Sequence, residues 1–205
     1  MLQISHNFCN IYSQTVVYSD MIDEKELLPR ILHGDLKAFE VLVKQYQGLV
    51  FHVVNRIINT KEDKEDICQE VFMKVHQHLH RFEYKSRLST WIARIAYVTA
   101  INYGKKYNND NTVAHPADIE NYSFAGEHPG QQLDKKDVTE YINRLIAQMP
   151  EQYRTVLTLF HLNEFSYQEI EEITGMPEGT VKSYLFRGRK LLKEKLNVYL
   201  KNELS

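Results

Sequence analysis

The chain has 205 residues, an apolar share of 43% and a net charge of −2. That length accommodates one large or two small domains at roughly 100–200 residues each, and so balanced a charge neither requires nor excludes a nucleic-acid partner, which leaves the question to local charge. Cys9 and Cys68 make no disulfide framework, no apolar run reaches the ~18 residues of a membrane span, and the start Met1-Leu2-Gln3-Ile4-Ser5-His6 lacks the basic and apolar regions of a secretory signal, so the expectation is a cytoplasmic chain with no direct membrane insertion.

Residues 1–20 show no period and are expected to form a disordered N-terminal extension. A short helix is expected over Glu24–His33. Gly34 then separates it from a longer helix capped by Asp35, in which Leu36, Phe39, Val43, Tyr46, Val50, Val53 and Ile57 step by three or four residues along one face. Asn59-Thr60 breaks that pattern. A third helix, about Glu62–His80, buries Ile67, Val71, Val75 and Leu79. Arg81–Leu88 is polar, basic and aperiodic, so a loop is expected there. Ser89 should cap a fourth helix carrying Trp91, Ile92, Ile95 and Val98, which fades near Lys105-Lys106.

From Tyr107 to Gln132 the chain turns to Asn108-Asn109-Asp110-Asn111, His115-Pro116 and His128-Pro129-Gly130. This is turn chemistry, too polar to bury and too long for a compact connection, so residues 108–132 are expected to be a flexible linker. Helical period resumes with Val138, Ile142, Leu145, Ile146 and Met149, stops at Pro150, and continues with Tyr153, Val156, Leu157 and Phe160. The expected fold is therefore all-α: two small helical bundles, residues 21–107 and 133–205, joined by the linker.

Within the second bundle, Ser166 through Ser183 reads as a helix-turn-helix. Ser166 and Glu169 form a capping box, Ile170 and Ile173 face inward, Gly175 supplies the left-handed helix end, and Val181 and Leu185 return the second helix to the core. In this motif the N-terminal residues of the second helix reach base edges in the major groove. Pro177–Lys201 carries seven Lys/Arg against Glu178 and Glu194, a net of +5. That stripe suits phosphate contact. A solvated basic helix is the plainer reading of charge alone; the cap, glycine turn and apolar return favour DNA.

Charge also separates in the first bundle. Lys61–Glu70 places five acids on the front of one helix, part of which simply favours the helix N-terminus. Arg81–Lys106 is the reverse: six basic residues against Glu83, interleaved with Phe82, Tyr84, Trp91, Tyr97 and Tyr103. Basic groups that track phosphates and rings that accept unstacked bases make a single-strand-binding composition. Phe82 and Trp91, beside apolar neighbours, read better as core. The reading requires Arg81–Lys106 to lie at the surface.

These segments carry a family likeness. Asp66-Ile67-Cys68-Gln69-Glu70-Val71-Phe72-Met73-Lys74 resembles the helix by which sigma factors grip core RNA polymerase. Ser89-Thr90-Trp91-Ile92-Ala93-Arg94-Ile95-Ala96 resembles the promoter-melting segment, and Gly179-Thr180-Val181-Lys182-Ser183-Tyr184-Leu185-Phe186-Arg187-Gly188-Arg189 the recognition helix. In this order, across such a linker, they are similar to the extracytoplasmic-function sigma factors, over about Leu27 to Leu200. The resemblance implies a non-enzymatic subunit that directs promoter-specific initiation. Asp66, Gln69, Glu70 and Phe72 would meet core polymerase. Lys85, Arg87, Thr90, Arg94 and Tyr97 would hold the opened minus-ten strand. Thr180, Lys182, Ser183, Phe186 and Arg187 would read minus-thirty-five duplex. It also implies an anti-sigma factor as partner beside core polymerase and promoter DNA. The chain departs from the family pattern at Val98, Asn102 and Tyr184, so base preference is not carried over from relatives.

Two other classes account for less of the sequence. A helix-turn-helix regulator with an N-terminal helical sensory domain explains the second half but not the basic-aromatic segment. A metal site at His76, His78 and His80 lacks a convincing third ligand, so no metal or other cofactor is expected. No nucleophile-base pair or phosphate-binding glycine loop points to catalysis. The free chain is expected to hold its two bundles apart on the tether until polymerase fixes their spacing.

Overall fold

The computed structural model describes residues 24–58, 60–107 and 135–203. The expected extension, 1–20, and linker, 108–132, lie outside them. Every regular element among the described residues is helical: α1 Glu24–Leu32, α2 Leu36–Asn55, α3 Lys61–His78, a 3-10 turn over Leu79–Arg81, α4 Leu88–Tyr107, α5 Lys135–Gln148, α6 Glu151–His161, α7 Tyr167–Thr174 and α8 Glu178–Glu203.

Local chemistry sets the boundaries. Asp35 caps α2 by accepting from the Lys37 and Ala38 amides at 2.9 and 3.1 Å, and its outer oxygen takes Arg30 at 2.7 Å. Helix α4 begins two residues earlier than the sequence implies. Ser89 is its second residue rather than its cap, and the first-turn bond runs from the Trp91 amide to the Arg87 carbonyl at 3.1 Å. Arg87 therefore stands at the helix start.

In the first bundle α2 packs against α3 and α4, with α1 across α2. Leu42, Val50, Val54, Val71, Val75 and Ile92 are fully buried. Ala93, Ala96 and Ala100 give α4 a narrow inner face, which lets its neighbours approach closely. The second bundle is built on α6, α7 and α8, with α5 against α6 and α8. Tyr153 fills its centre and meets the Tyr184 ring edge-on at 4.6 Å. Burial of each such large apolar side chain contributes about 1.5–3 kcal/mol.

The two bundles also touch. Helix α7 lies on α4, and α6 meets α2. This departs from the separated arrangement expected of a free tether: complementary groups on α4 and α7 provide a contact that sequence spacing cannot reveal.

Candidate nucleic-acid interface

The helix-turn-helix is built from its caps upward. Ser166 Oγ accepts the Glu169 amide at 3.3 Å, and Glu169 Oε2 accepts the Ser166 amide at 2.9 Å, closing the capping box. Gly175 ends α7 at φ +75°, and its amide bonds to the Glu171 carbonyl at 2.8 Å. Ile170, Ile173, Val181 and Leu185 are buried between α7 and α8. This fixes the front of α8 at the surface. There Lys182 is exposed and pairs with Glu178, its ammonium 5.4 Å from the Tyr167 ring centroid. Phe186 is 70% exposed. Thr180, Ser183 and Arg187 are half-buried on the same element. A groove of about 430 Å³ runs beside them, lined by Tyr167, Leu185, Phe186, Lys182, Arg189 and Lys190. Arg189 is tied down: its Nε bonds to His161 Nε2 at 3.0 Å, and its guanidinium sits 4.6 Å from the Phe160 centroid.

The basic-aromatic segment is at the surface, with Arg81, Lys85, Arg87, Arg94, Lys105 and Lys106 all exposed. Phe82 packs on Trp91 with centroids 5.5 Å apart, and both lie against the core. Tyr84 differs. It is 58% exposed and sits at φ +57°, a backbone region that L side chains seldom adopt. Its ring lies 4.9 Å from Phe82. The loop thus presents an aromatic face beside Lys85, a site residue that the pattern of interleaved rings contained but did not single out.

On α3 the structure divides the expected polymerase-binding residues. Asp66, Gln69 and Glu70 are exposed. Phe72 is not: at 6% exposure it belongs to the core, because it follows Cys68 by one turn and widens the buried stripe. Met73, 61% exposed, is the apolar group this face offers instead. Lys74 bridges the polar face to α4, pairing with Glu70 at 2.6 Å and donating to Thr99 Oγ1 at 3.2 Å. His76 packs edge-on against Phe39 at 4.8 Å. Among the described residues no three metal-ligating side chains converge, and no helix is long and apolar enough to cross a membrane. Burial pushes the Cys68 thiol up to about 12, with Glu65 adding to it, so it stays protonated.

Three of the expected minus-ten residues, Arg87, Thr90 and Arg94, meet at the α4–α7 seam. Arg87 Nε donates to Glu169 Oε1 at 2.5 Å, Thr90 Oγ1 donates to the same oxygen at 3.0 Å, and Arg94 donates to the Glu172 carbonyl. Thr90 is fully buried there, whereas Lys85 stays free of the seam and pairs with Glu83 at 2.5 Å. Burial works against charge on Glu169, yet hydrogen bonds from Arg87, Ser166 and Thr90 outweigh it and hold the carboxyl down at about 2. Tyr97 faces the second bundle as well: burial, then the neighbouring Glu151 and Tyr184, push its hydroxyl up to about 12. At the α2–α6 end, burial and the Arg154 charge both lower the Arg56 pKa, and Lys64 is lowered by burial, Arg154 and Arg56. Glu151 stands at the same place, its carboxyl raised by burial and lowered in part by Arg154 and Lys105.

The described residues form two helical bundles, the second holding a capped helix-turn-helix and the first a basic surface helix behind an acidic one. Residues 42–109 match the family described as Sigma-70 region 2, and residues 139–192 that described as Sigma-70, region 4. The chain is 32% identical over 188 residues to the ECF RNA polymerase sigma-E factor of Haemophilus influenzae, spanning 87% of this chain and 97% of that one. It is 30% identical to the RNA polymerase sigma-H factor of Pseudomonas aeruginosa, over 87% and 96% of the two chains. In fold it is similar to CnrH, solved with the cytosolic domain of CnrY, at a TM-score of 0.59 and 16% identity over 85% of this chain and 97% of that one. It is also similar to the sigma factor RpoE of Bartonella quintana, solved with the anti-sigma factor NepR, at 0.57 and 23% over 79% and 98%. The chain belongs to the extracytoplasmic-function family of RNA polymerase sigma factors. The sensory-domain regulator gives way, because its N-terminal half would not match Sigma-70 region 2.

Proposed function

We propose that this chain directs promoter-specific initiation by docking on core RNA polymerase and reading promoter DNA at two places. The observation that carries this is the helix-turn-helix, whose caps and buried isoleucines hold Lys182 and Phe186 exposed at the front of α8. That front enters the major groove of minus-thirty-five duplex. Thr180 and Ser183 offer hydroxyls to base edges or phosphates, Lys182 and Arg187 bind phosphate, and Phe186 makes apolar contact with a thymine methyl.

In the first bundle Lys85, Arg87 and Arg94 hold the backbone of the opened minus-ten strand, with Thr90 and Tyr97 behind them. Tyr84 gives an unpaired base a ring to stack on, at ~1–3 kcal/mol per base, which offsets the few kcal/mol of unstacking without ATP. Asp66, Gln69 and Glu70, with Met73 beside them, form the polymerase-docking face. An anti-sigma factor is proposed as a further partner, in keeping with the RpoE relative solved with one.

Run-off transcription with purified core polymerase on a library of randomised promoters tests the reading. Selection of two sequence blocks at a fixed separation is the expected result. Initiation no better than core polymerase alone contradicts it.

A further inference from the structure

Beyond Ile92 the fully buried apolar positions of α4 are Ala93, Ala96 and Ala100. Alanines offer no long side chains to interlock with a neighbouring helix, so apolar packing alone sets the rotation of α4 on α3 loosely. Polar ties supply what the alanines lack. Tyr103 bonds Asp63 toward the start of α3, and Lys74 donates to Thr99 Oγ1 at 3.2 Å farther along it.

The second tie joins two functional faces. The Lys74 ammonium also pairs with Glu70 Oε1 at 2.6 Å, and Glu70 belongs to the polymerase-docking face described above. Thr99 is 4% exposed and lies next to Val98, which is 44% exposed. Arg94, Val98 and Asn102 follow one another by a turn along the outer side of α4, all exposed. One ammonium thus reaches from the docking face to the back of the helix whose front is given to the minus-ten strand.

In the free chain the Lys74–Glu70 pair is half in water, with side-chain exposures of 37% and 50%. Such a pair contributes little, because ordering a lysine costs nearly what the attraction returns. A protein laid over Asp66, Gln69 and Glu70 removes that water and strengthens the attraction. An ammonium has three donors, so Lys74 holds Glu70 and Thr99 at once, and fixing one end fixes the other.

We propose that Lys74 is a positioning residue: docking of core polymerase on Glu70 immobilises it, and through Thr99 it locks α4 in the rotation that presents Arg94 to the minus-ten strand. This deepens the reading of both faces given above and rests on it.

Thr99→Val tests the relay without altering either surface, since the residue is buried and Lys74, still partly in water, is left with no stranded donor. Full-length chain and saturating core polymerase are mixed with a promoter obtained by the run-off selection above, carrying a fluorescent adenine analogue in its minus-ten region. Opening is read from that fluorescence, and core affinity from a separate titration. Thr99→Val should slow opening about tenfold, the effect of one hydrogen bond to a charged group, with core affinity and melting temperature nearly unchanged. Thr99→Ser keeps the hydroxyl and should open at the wild-type rate. Lys74→Met should slow opening as much as Thr99→Val does, and the double variant no further. A normal rate for Thr99→Val, a loss that follows melting temperature, or additive slowing in the double variant overturns the proposal.

Two controls separate the relay from the faces it joins. Asp66→Arg should weaken core binding, and Arg94→Ala should slow opening. If either behaves as wild type, the reading of that face fails and the relay with it. If both are defective while Thr99→Val opens normally, only the relay fails.

Discussion

The Glu169 carboxylate is shared between a helix cap and a distant helix, and its acidity records both. Because its pKa with the bundles in contact, about 2, lies below the ordinary carboxylate value, its contribution to that contact is complete above ~4.3 and is lost as pH falls toward the depressed value. Fluorescence transfer between the bundles should therefore fall on acidification through that window, and the Glu169→Gln chain should lack this step. No sequence signal could single out this role, because the capping box already accounts for Glu169. Phe72 teaches a related lesson. Neighbouring positions such as Phe72 and Met73 differ by about 100° around a helix, so a family motif can hand a partner-facing role to a residue that the core has taken. Met73→Ala should weaken binding to core polymerase and leave the melting temperature nearly unchanged, whereas Phe72→Ala should lower stability by about 3 kcal/mol.

Elements were legible where a single physical signal dominates. The capped start of α7, its glycine end and the apolar return of α8 follow from Ser166, Gly175 and Val181, and each is found in place. Gly175 holds φ +75° with no atom within 4 Å of a Cβ placed there, so Gly175→Ala costs backbone strain alone, about 1 kcal/mol. Ser166→Ala removes the cap for a similar cost of ~1 kcal/mol. Chemical denaturation should report both, and minus-thirty-five affinity should fall further than stability because α8 loses its fixed angle. Phe186 is 70% exposed, so Phe186→Ala should leave stability unchanged while weakening that duplex. The start of α4 is not legible for a clear reason: Ser89 has the composition of a cap, but the buried Leu88 sets the first turn two residues earlier.

At the scale of the whole molecule, the fold class and the two bundles followed from periodicity, and the family likeness rested on three motifs in order. Their mutual packing did not follow, since Arg87 and Glu169 are 82 residues apart and neither looks unusual on its own strand of sequence. The most direct measurement places dyes on Gln77→Cys and Glu171→Cys, exposed positions on α3 and α7, in one full-length chain. The dyes should be close in the free protein and move apart by tens of ångströms when core polymerase and promoter DNA are added. An unchanged separation in an initiation-competent complex would contradict the account.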